Sequence, residues 1–546
     1  MSSISTLPPE LLLNITDFIH RRSDLNNLCR VSRRLQATAI PRLYEYTKLD
    51  LDKFSSARPN GFFTAGNPGP EHVKKLSFTP SEPRDPVDAV KVMKKAILLC
   101  AKDGLRSLRL PNKIKLDDGL FVIVYMNQQR LQSVELGLPG QVLGIQLRSP
   151  TFPDAWLSTI KRLRTPELIE SSQDLEAYGS LLARLHNLQE LEIQTHSFTT
   201  DEADSTPLLE SLDKESLALK TLLAGTKKGN EMRAMQLERL VLSRQDLSYP
   251  RRTLTSSINF SMIVTLELEL CNSATTLLDT LAMDFRDHGA ELKVLKAGFD
   301  SRDCTALTNF LRSFSGLRAV ELYYSTDADG SNFDLSWLAT HESTLKQLRV
   351  CAWDPSAMAI AGAPLRSYAP LSEGFPKLNS VATAMPTIRL SNGGAAQDDG
   401  LQAYFAAFDA IVTNCERKLV CFFGTPSMET GGLVKARSLQ PLDVKEAYVE
   451  LNMRRYAERL DRFVDQLFAR IAAIWGSTSR EAAPLLIFMD NVIREHGSDS
   501  TSPFEVISYV PSTQASALGP IRLAGIRVPI EELALIYPSK YDPTKD

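Results

Sequence analysis

Neither sign of charge dominates this chain: its 546 residues include 62 Lys and Arg against 65 Asp and Glu, a net charge of -3. That balance leaves no strong basic field of the kind that condenses on nucleic acid or anionic lipid. Cysteine is sparse, with seven residues at 29, 100, 271, 304, 351, 415 and 421, an odd number without a CxxC pair. Such scatter predicts reduced, buried thiols and argues against a disulfide framework. Long apolar runs are missing as well; Leu120 to Met126 is far shorter than a membrane span. The first twenty residues carry no Lys or Arg and contain Pro8, Pro9, Glu10 and Asp17, unlike a secretory leader. The expectation is an intracellular protein, cytoplasmic or nuclear.

Catalytic patterns are lacking too. There is no HExxH, no phosphate-binding GxxxxGK[ST], no GxGxxG after a strand and no GxSxG elbow. The histidines at 20, 72, 186, 196, 288, 341 and 496 lack metal-ligand spacing and read as surface or helix-end residues. Asp327 to Asn332 resembles a calcium loop only loosely, because its glycine comes early and the closing Glu is absent. Adjacent carboxylates such as Asp117-Asp118 and Asp398-Asp399 sit where helices are expected to start, which the helix dipole explains. No cofactor or metal is expected, and no enzyme.

What the chain does hold is apolar patterning, with 43% hydrophobic residues. Leu7-Pro8-Pro9-Glu10 opens a helix in which Leu11, Leu12, Ile15, Phe18 and Ile19 follow helical spacing. Ser23-Asp24 offers an N-cap for a second helix bearing Leu25, Leu28 and Val31. Ser32 is placed to cap a third, through Leu35 and Ile40 to a stop at Pro41. Three short helices cannot hide this much apolar surface among themselves, so some of it must be covered by other parts of the chain or by another protein.

Leu-Pro-x-Glu-Leu-Leu-x-x-Ile followed by Asp-Leu-x-x-Leu-Cys-x-Val-Ser-Arg-x-Leu resembles the F-box, and Ile40 to Tyr44 resembles the Ile-Pro-Arg-Leu-Tyr ending of its fungal form. The resemblance covers under a tenth of the chain. It implies a three-helix module that docks on the Skp-type adaptor of SCF (Skp–cullin–F-box) ubiquitin ligases. By matching position it implies that Leu7, Pro8, Leu11, Ile15, Leu25, Leu28, Val31, Ser32 and Leu35 make or support that contact.

A second pattern, apolar residues at i, i+3 and i+5, recurs from Tyr46-Leu49-Leu51 and Val73-Leu76-Phe78 to Leu345-Leu348-Val350 and a weaker Leu378-Val381-Thr383. Successive starts lie 25 to 33 residues apart, except for one interval of 49 between Leu188 and Leu237. The end of each unit alternates like a short strand, and helices are expected before several strands, as over 87–102, 116–129, 175–186, 275–288 and 304–314. A helix–strand unit has one apolar face it cannot bury alone, so stacked units make a continuous core. The pattern resembles the leucine-rich repeat, without the regular Asn or Cys that follows the strand in that family.

In such a strand i+2, i+4 and i+6 point away from the core. Early units place Lys75, Arg109, Arg162 and Arg164 there; middle units place Glu135, Glu190, Glu192, Glu267, Glu269 and Glu321, with Tyr323 and Arg349 following. The expectation is a groove with a basic end and an acidic middle, the middle preferring a basic segment, against an ordinary solvated face. The acidic run at 201–215 and the arginines Arg244, Arg251 and Arg252 read as insertions. Beyond Asn392-Gly393-Gly394 the period fades. Helices are expected over 397–414 and 442–475, and strands over 419–423, 485–489 and 504–510.

The predicted fold is α/β: a three-helix F-box over 1–44, a leucine-rich-repeat-like solenoid over 45–395, and degenerate terminal repeats forming a more helical cap over 396–546. The function this implies is a non-catalytic substrate receptor of a ubiquitin ligase. It would join the Skp-type adaptor, through it a cullin, and a protein substrate. A non-degradative scaffold is the alternative.

Overall fold

The computed structural model describes the chain except residues 1–6, 20–21, 52–60, 65, 80–85, 112–113, 115, 136, 138–139, 150–151, 166–171, 195–218, 220, 224–233, 244, 246, 248–250, 270, 272, 300–303, 326–333, 355–358, 363–373, 384–398, 415–419, 425–441, 476–484, 491–504, 515–521 and 529–546. The acidic run at 201–215, Arg244 and the loop at 327–332 therefore lie outside the described residues. Two compact units divide the chain: Met1–Ile263 with Glu267–Asn272, and Val264–Leu266 with Ser273–Asp546. The division falls inside the 45–395 stretch, at neither of the boundaries read from sequence. Among the described residues no helix is long and apolar enough to cross a membrane.

The first unit opens with helices α1 (Pro9–Asp17), α2 (Arg22–Val31) and α3 (Arg33–Glu45). Both α1 and α2 pack on α3, burying Leu12, Leu25, Leu35 and Ala39. Ser32 caps α3, its Oγ accepting from Leu35 N at 3.2 Å. Ser23 and Asp24 sit inside the first turn of α2, which starts at Arg22, so they are not its cap. Pro41 does not stop α3, which runs on to Glu45. Near a helix end proline forfeits a single backbone bond, and the residues beyond it are fastened. Arg22 Nη2 donates to Leu43 O at 3.1 Å, and Lys74 N donates to Glu45 O at 3.0 Å. The Tyr44 ring lies so close over Gly69 that a Cβ there would stand 2.3 Å from Tyr44 Cε1.

Strands β1 (Tyr46–Asp50), β2 (Lys75–Thr79), β3 (Ser107–Arg109), β4 (Ser133–Glu135), β5 (Arg162–Arg164), β6 (Glu190–Gln194) and β7 (Arg239–Ser243) follow. Each pairs in parallel with the next in chain order. Parallel neighbours need a long crossover, and helices α4 (Pro86–Leu99), α5 (Asp118–Asn127), α6 (Gly140–Arg148), α7 (Asp154–Leu157) and α8 (Ser172–Leu182) occupy the four connections from β2 to β6. Register aligns Leu76, Leu108, Val134, Leu163, Leu191 and Leu240 in one buried row, the i+3 position of the sequence pattern. Asp117 caps α5, accepting from Leu120 N at 2.8 Å.

The first repeat is corrected by two residues. Thr47 pairs with Leu76 and Leu49 with Phe78, so the unit is Tyr44-Thr47-Leu49, and Tyr46 is exposed. A threonine at the i+3 place hid this from an apolar template. Between units, the buried Gln128 satisfies backbone groups: its Oε1 accepts from Leu105 N at 3.0 Å and its Nε2 donates to Ala101 O at 3.1 Å. Strand β8 (Thr265–Glu269) gives Glu267 and Glu269 to this unit.

In the second unit β9 (Val294–Phe299), β10 (Ala319–Ser325) and β11 (Gln347–Asp354) pair in parallel, and β11 also pairs antiparallel with β12 (Ala359–Gly362). The parallel order continues through β13 (Ser380–Thr383), β14 (Val420–Gly424) and β15 (Leu485–Asp490). It ends there: β16 (Glu505–Gln514) and β17 (Arg522–Val528) return antiparallel, a departure from a run of terminal repeats. The link between β16 and β17 is of hairpin length, too short for a parallel crossover. Long helices span Ala274–His288, Asp399–Asn414 and Leu442–Trp475.

His341 is a helix-end histidine, as read from sequence, but not a surface one. It ends a 3₁₀ helix but is fully buried, its Nδ1 accepting from Leu317 N at 3.3 Å while Nε2 stands 2.9 Å from Leu311 O. Burial pushes its pKa down to about 4. Of the cysteines described, Cys100 and Cys271 are buried as expected and Cys29 is half-buried. Burial raises the Cys100 thiol to about 12.

Candidate functional site

Two surfaces carry the residues singled out in sequence. On the helices, Leu25 and Leu35 are core, Leu7, Leu28 and Ser32 are half-buried, and Pro8, Leu11, Ile15 and Val31 are exposed. Leu11, Ile15 and Phe18 fall at i, i+4 and i+7, one stripe of α1 beside its buried stripe of Leu12 and Thr16. Phe18 is 80% exposed and Val31 68%. Large apolar side chains this open on one small module make this face a candidate contact surface. Phe18, Leu13 and the core residue Leu12 were absent from the family-matched set. Helical spacing already placed Phe18 on the stripe; only the helix packing separates Leu12 from its exposed neighbours.

The second surface is the sheet face at i+2 and i+4 of each unit. Register builds two rows across the first unit. One runs Tyr46, Lys75, Ser107, Ser133, Arg162, Glu190, Arg239; the other runs Lys48, Ser77, Arg109, Glu135, Arg164, Glu192, Val241. A cleft of about 280 Å³ opens over them.

The charges interlock. Arg109 Nε is 3.0 Å from Glu135 Oε2, and Arg164 Nη1 is 3.6 Å from the same oxygen. Arg164 Nε stands 3.1 Å from Glu192 Oε1, an ion pair at an angle too poor for a hydrogen bond. Arg162 Nε meets Glu190 Oε1 at 2.7 Å, and Arg239 Nη2 donates to Glu267 Oε1 at 2.8 Å. Glu269 Oε2 accepts from Ser243 Oγ at 3.1 Å. In the second unit Glu321 takes Arg349 at 2.9 Å and Lys296 at 3.8 Å, and the Tyr323 hydroxyl donates to it.

The acidic middle expected from sequence therefore does not stand open for a basic segment. Glu190, Glu192, Glu267 and Glu321 are each held by an arginine. In these pairs the cation is also the more exposed partner: Arg109 is 48% exposed over Glu135 at 11%, and Arg162 61% over Glu190 at 24%. An arginine reaches farther from its Cα than a glutamate and keeps its head in water, so it folds over the shorter carboxylate. Burial is the main influence on Glu135 and Glu192 and raises both pKa values, although Arg164 beside each one pulls the other way. Burial is the strongest single influence on Arg239 and pulls its pKa down, but the bond to Glu267 and the charges of Glu267, Glu192 and Glu190 together outweigh it and leave the group raised.

Arg239 and Lys296 were not among the residues picked from sequence. Both sit at i+2 or i+4 of recognised units, Leu237-Leu240-Leu242 and Leu292-Leu295-Ala297, so the same count finds them. Among the described residues no group of three or more His, Cys, Asp or Glu is arranged to hold a metal ion. No protein-family model matches this chain, and no curated protein sequence matches it either.

Proposed function

We propose that the chain is the substrate-recognition subunit of an SCF-type ubiquitin ligase, a non-catalytic adaptor working inside the cell. In this reading 1–44 is an F-box and the repeating strands that follow form a leucine-rich-repeat-like solenoid. The carrying observation is the stripe Leu11, Ile15 and Phe18, with Val31 on α2, exposed on a module whose own core is already filled by Leu12, Leu25 and Leu35. Apolar side chains left over after a core is complete support a protein partner, and the F-box resemblance supplies its identity, a Skp-type adaptor. Parallel strands paired in chain order, at a near-constant interval from β2 to β6, support the repeat reading. The attachment of α3 through Tyr44 and Gly69 supports a fixed spacing between docking helices and sheet, which raises the effective concentration of a bound substrate near the ligase.

The test is co-purification of the full chain with a Skp-type adaptor and a cullin. Leu11→Asp with Val31→Asp, both outside the core, should abolish adaptor capture and leave the thermal melting of the chain unchanged. Capture that survives the double substitution overturns the docking assignment; an adaptor complex that never recruits a cullin favours the non-degradative scaffold.

A further inference from the structure

We propose that the sheet face over β1 to β5 binds an acidic peptide segment in extended conformation; this rests on the substrate-receptor reading and names its substrate class. The cleft runs over this face and on to β6 and β7, and its described lining holds five cations, Lys75, Arg109, Arg162, Arg164 and Arg239, against three carboxylates, Glu135, Glu190 and Glu192. Arg239 is satisfied by Glu267, so the remaining surplus sits toward the Lys75 end. Lys75 and Lys48, which lies diagonally from it on β1 in the adjacent row, are exposed, and among the described residues neither makes an ion pair. Ser77 is the register partner of Lys48, and Ser107 that of Lys75.

Three further points favour an acidic peptide over other ligands. The carboxylates of the cleft lie beneath guanidinium groups that already hold them, so a basic segment would first have to break those pairs. Lys75 and Arg162 occupy one row three strands apart, about 14 Å at ~4.8 Å per strand. An extended peptide advances ~3.4 Å per residue, so acidic side chains at i and i+4, about 14 Å apart, reach both. Tyr46 is the one aromatic in the described lining, which gives nucleic-acid bases no stacking platform.

Fluorescence anisotropy on the purified full-length chain tests this with three labelled probes: an alternating Asp/Ser peptide, an alternating Lys/Ser peptide and an oligouridylate. The Asp/Ser peptide should bind at least tenfold tighter than the Lys/Ser peptide, and more weakly as salt rises. Lys75→Glu with Arg162→Glu should cost it tenfold or more. Lys48→Gln with Lys75→Gln, two exposed and unpaired positions that cannot disturb the fold through lost ion pairs, should cost about threefold. Equal affinities, tighter binding of the Lys/Ser peptide or the oligouridylate, no binding of either peptide, or indifference to both variants overturns the proposal. Adaptor capture is scored on the same samples. A chain that ignores the adaptor yet selects the Asp/Ser peptide overturns the ligase reading alone, and the converse overturns the charge preference alone.

Discussion

Arg239 closes on Glu267 through two donors, Nε at 3.1 Å and Nη2 at 2.8 Å, both onto Oε1 of a carboxylate that is 6% exposed. The glutamate is buried and the arginine half-open, so the two halves of the pair are not equivalent. Arg239→Met should cost on the order of 2 kcal/mol, because it leaves a buried carboxylate uncompensated. Adding Glu267→Gln should recover much of that loss. Urea unfolding of the two single variants and the double variant measures the coupling, and additive losses would show that the pair contributes nothing.

His341 sets a pH dependence with a definite sign. Its folded pKa, about 4, lies below the usual 6.5, so between these values the unfolded chain binds a proton that the folded chain refuses. The stability this residue contributes is complete above pH 6.5 and is lost as pH falls toward 4, at up to ~1.4 kcal/mol per pH unit. Melting temperatures across that window should therefore fall more steeply for the native chain than for His341→Gln. Parallel curves would locate the acid sensitivity elsewhere.

Gly69 is required by the Tyr44 ring above it. Gly69→Ala should destabilise the first unit by about 1–3 kcal/mol, since the new Cβ would overlap Tyr44 Cε1. Tyr44→Leu in the Gly69→Ala background should return part of the loss. Limited proteolysis between α3 and β2 reads the loosening directly, and a variant as resistant as the native chain would contradict the contact.

Gln128 is a buried polar stitch. Gln128→Leu leaves Leu105 N and Ala101 O without their partner and should cost about 2–3 kcal/mol. Hydrogen exchange at the Leu105 amide should accelerate in that variant; unchanged protection would mean another group takes the bond.

Much of this was legible in the residues. The i, i+3, i+5 spacing found the buried row from Leu76 to Leu240, and the helix over 442–475 was read to its ends, because burial on one face imposes a period a sequence must keep. The first repeat was misread where Thr47 takes an apolar place, and β17 was missed because its neighbours follow no period. Buried polar residues such as Gln128 and His341 escaped for the opposite reason: composition marks them as surface residues, and only the backbone groups they meet explain their burial.

Sequence alone determined which side chains leave the core. The strand period sends Arg109, Glu135, Arg164 and Glu192 to one face, and a one-residue slip would have buried them all. What they present there was decided by tertiary structure. Parallel register sets each glutamate beside arginines from strands 26 to 29 residues away in sequence, and the longer side chain covers the shorter. Charge on a face depends on neighbours brought together by folding, which no count along the chain contains.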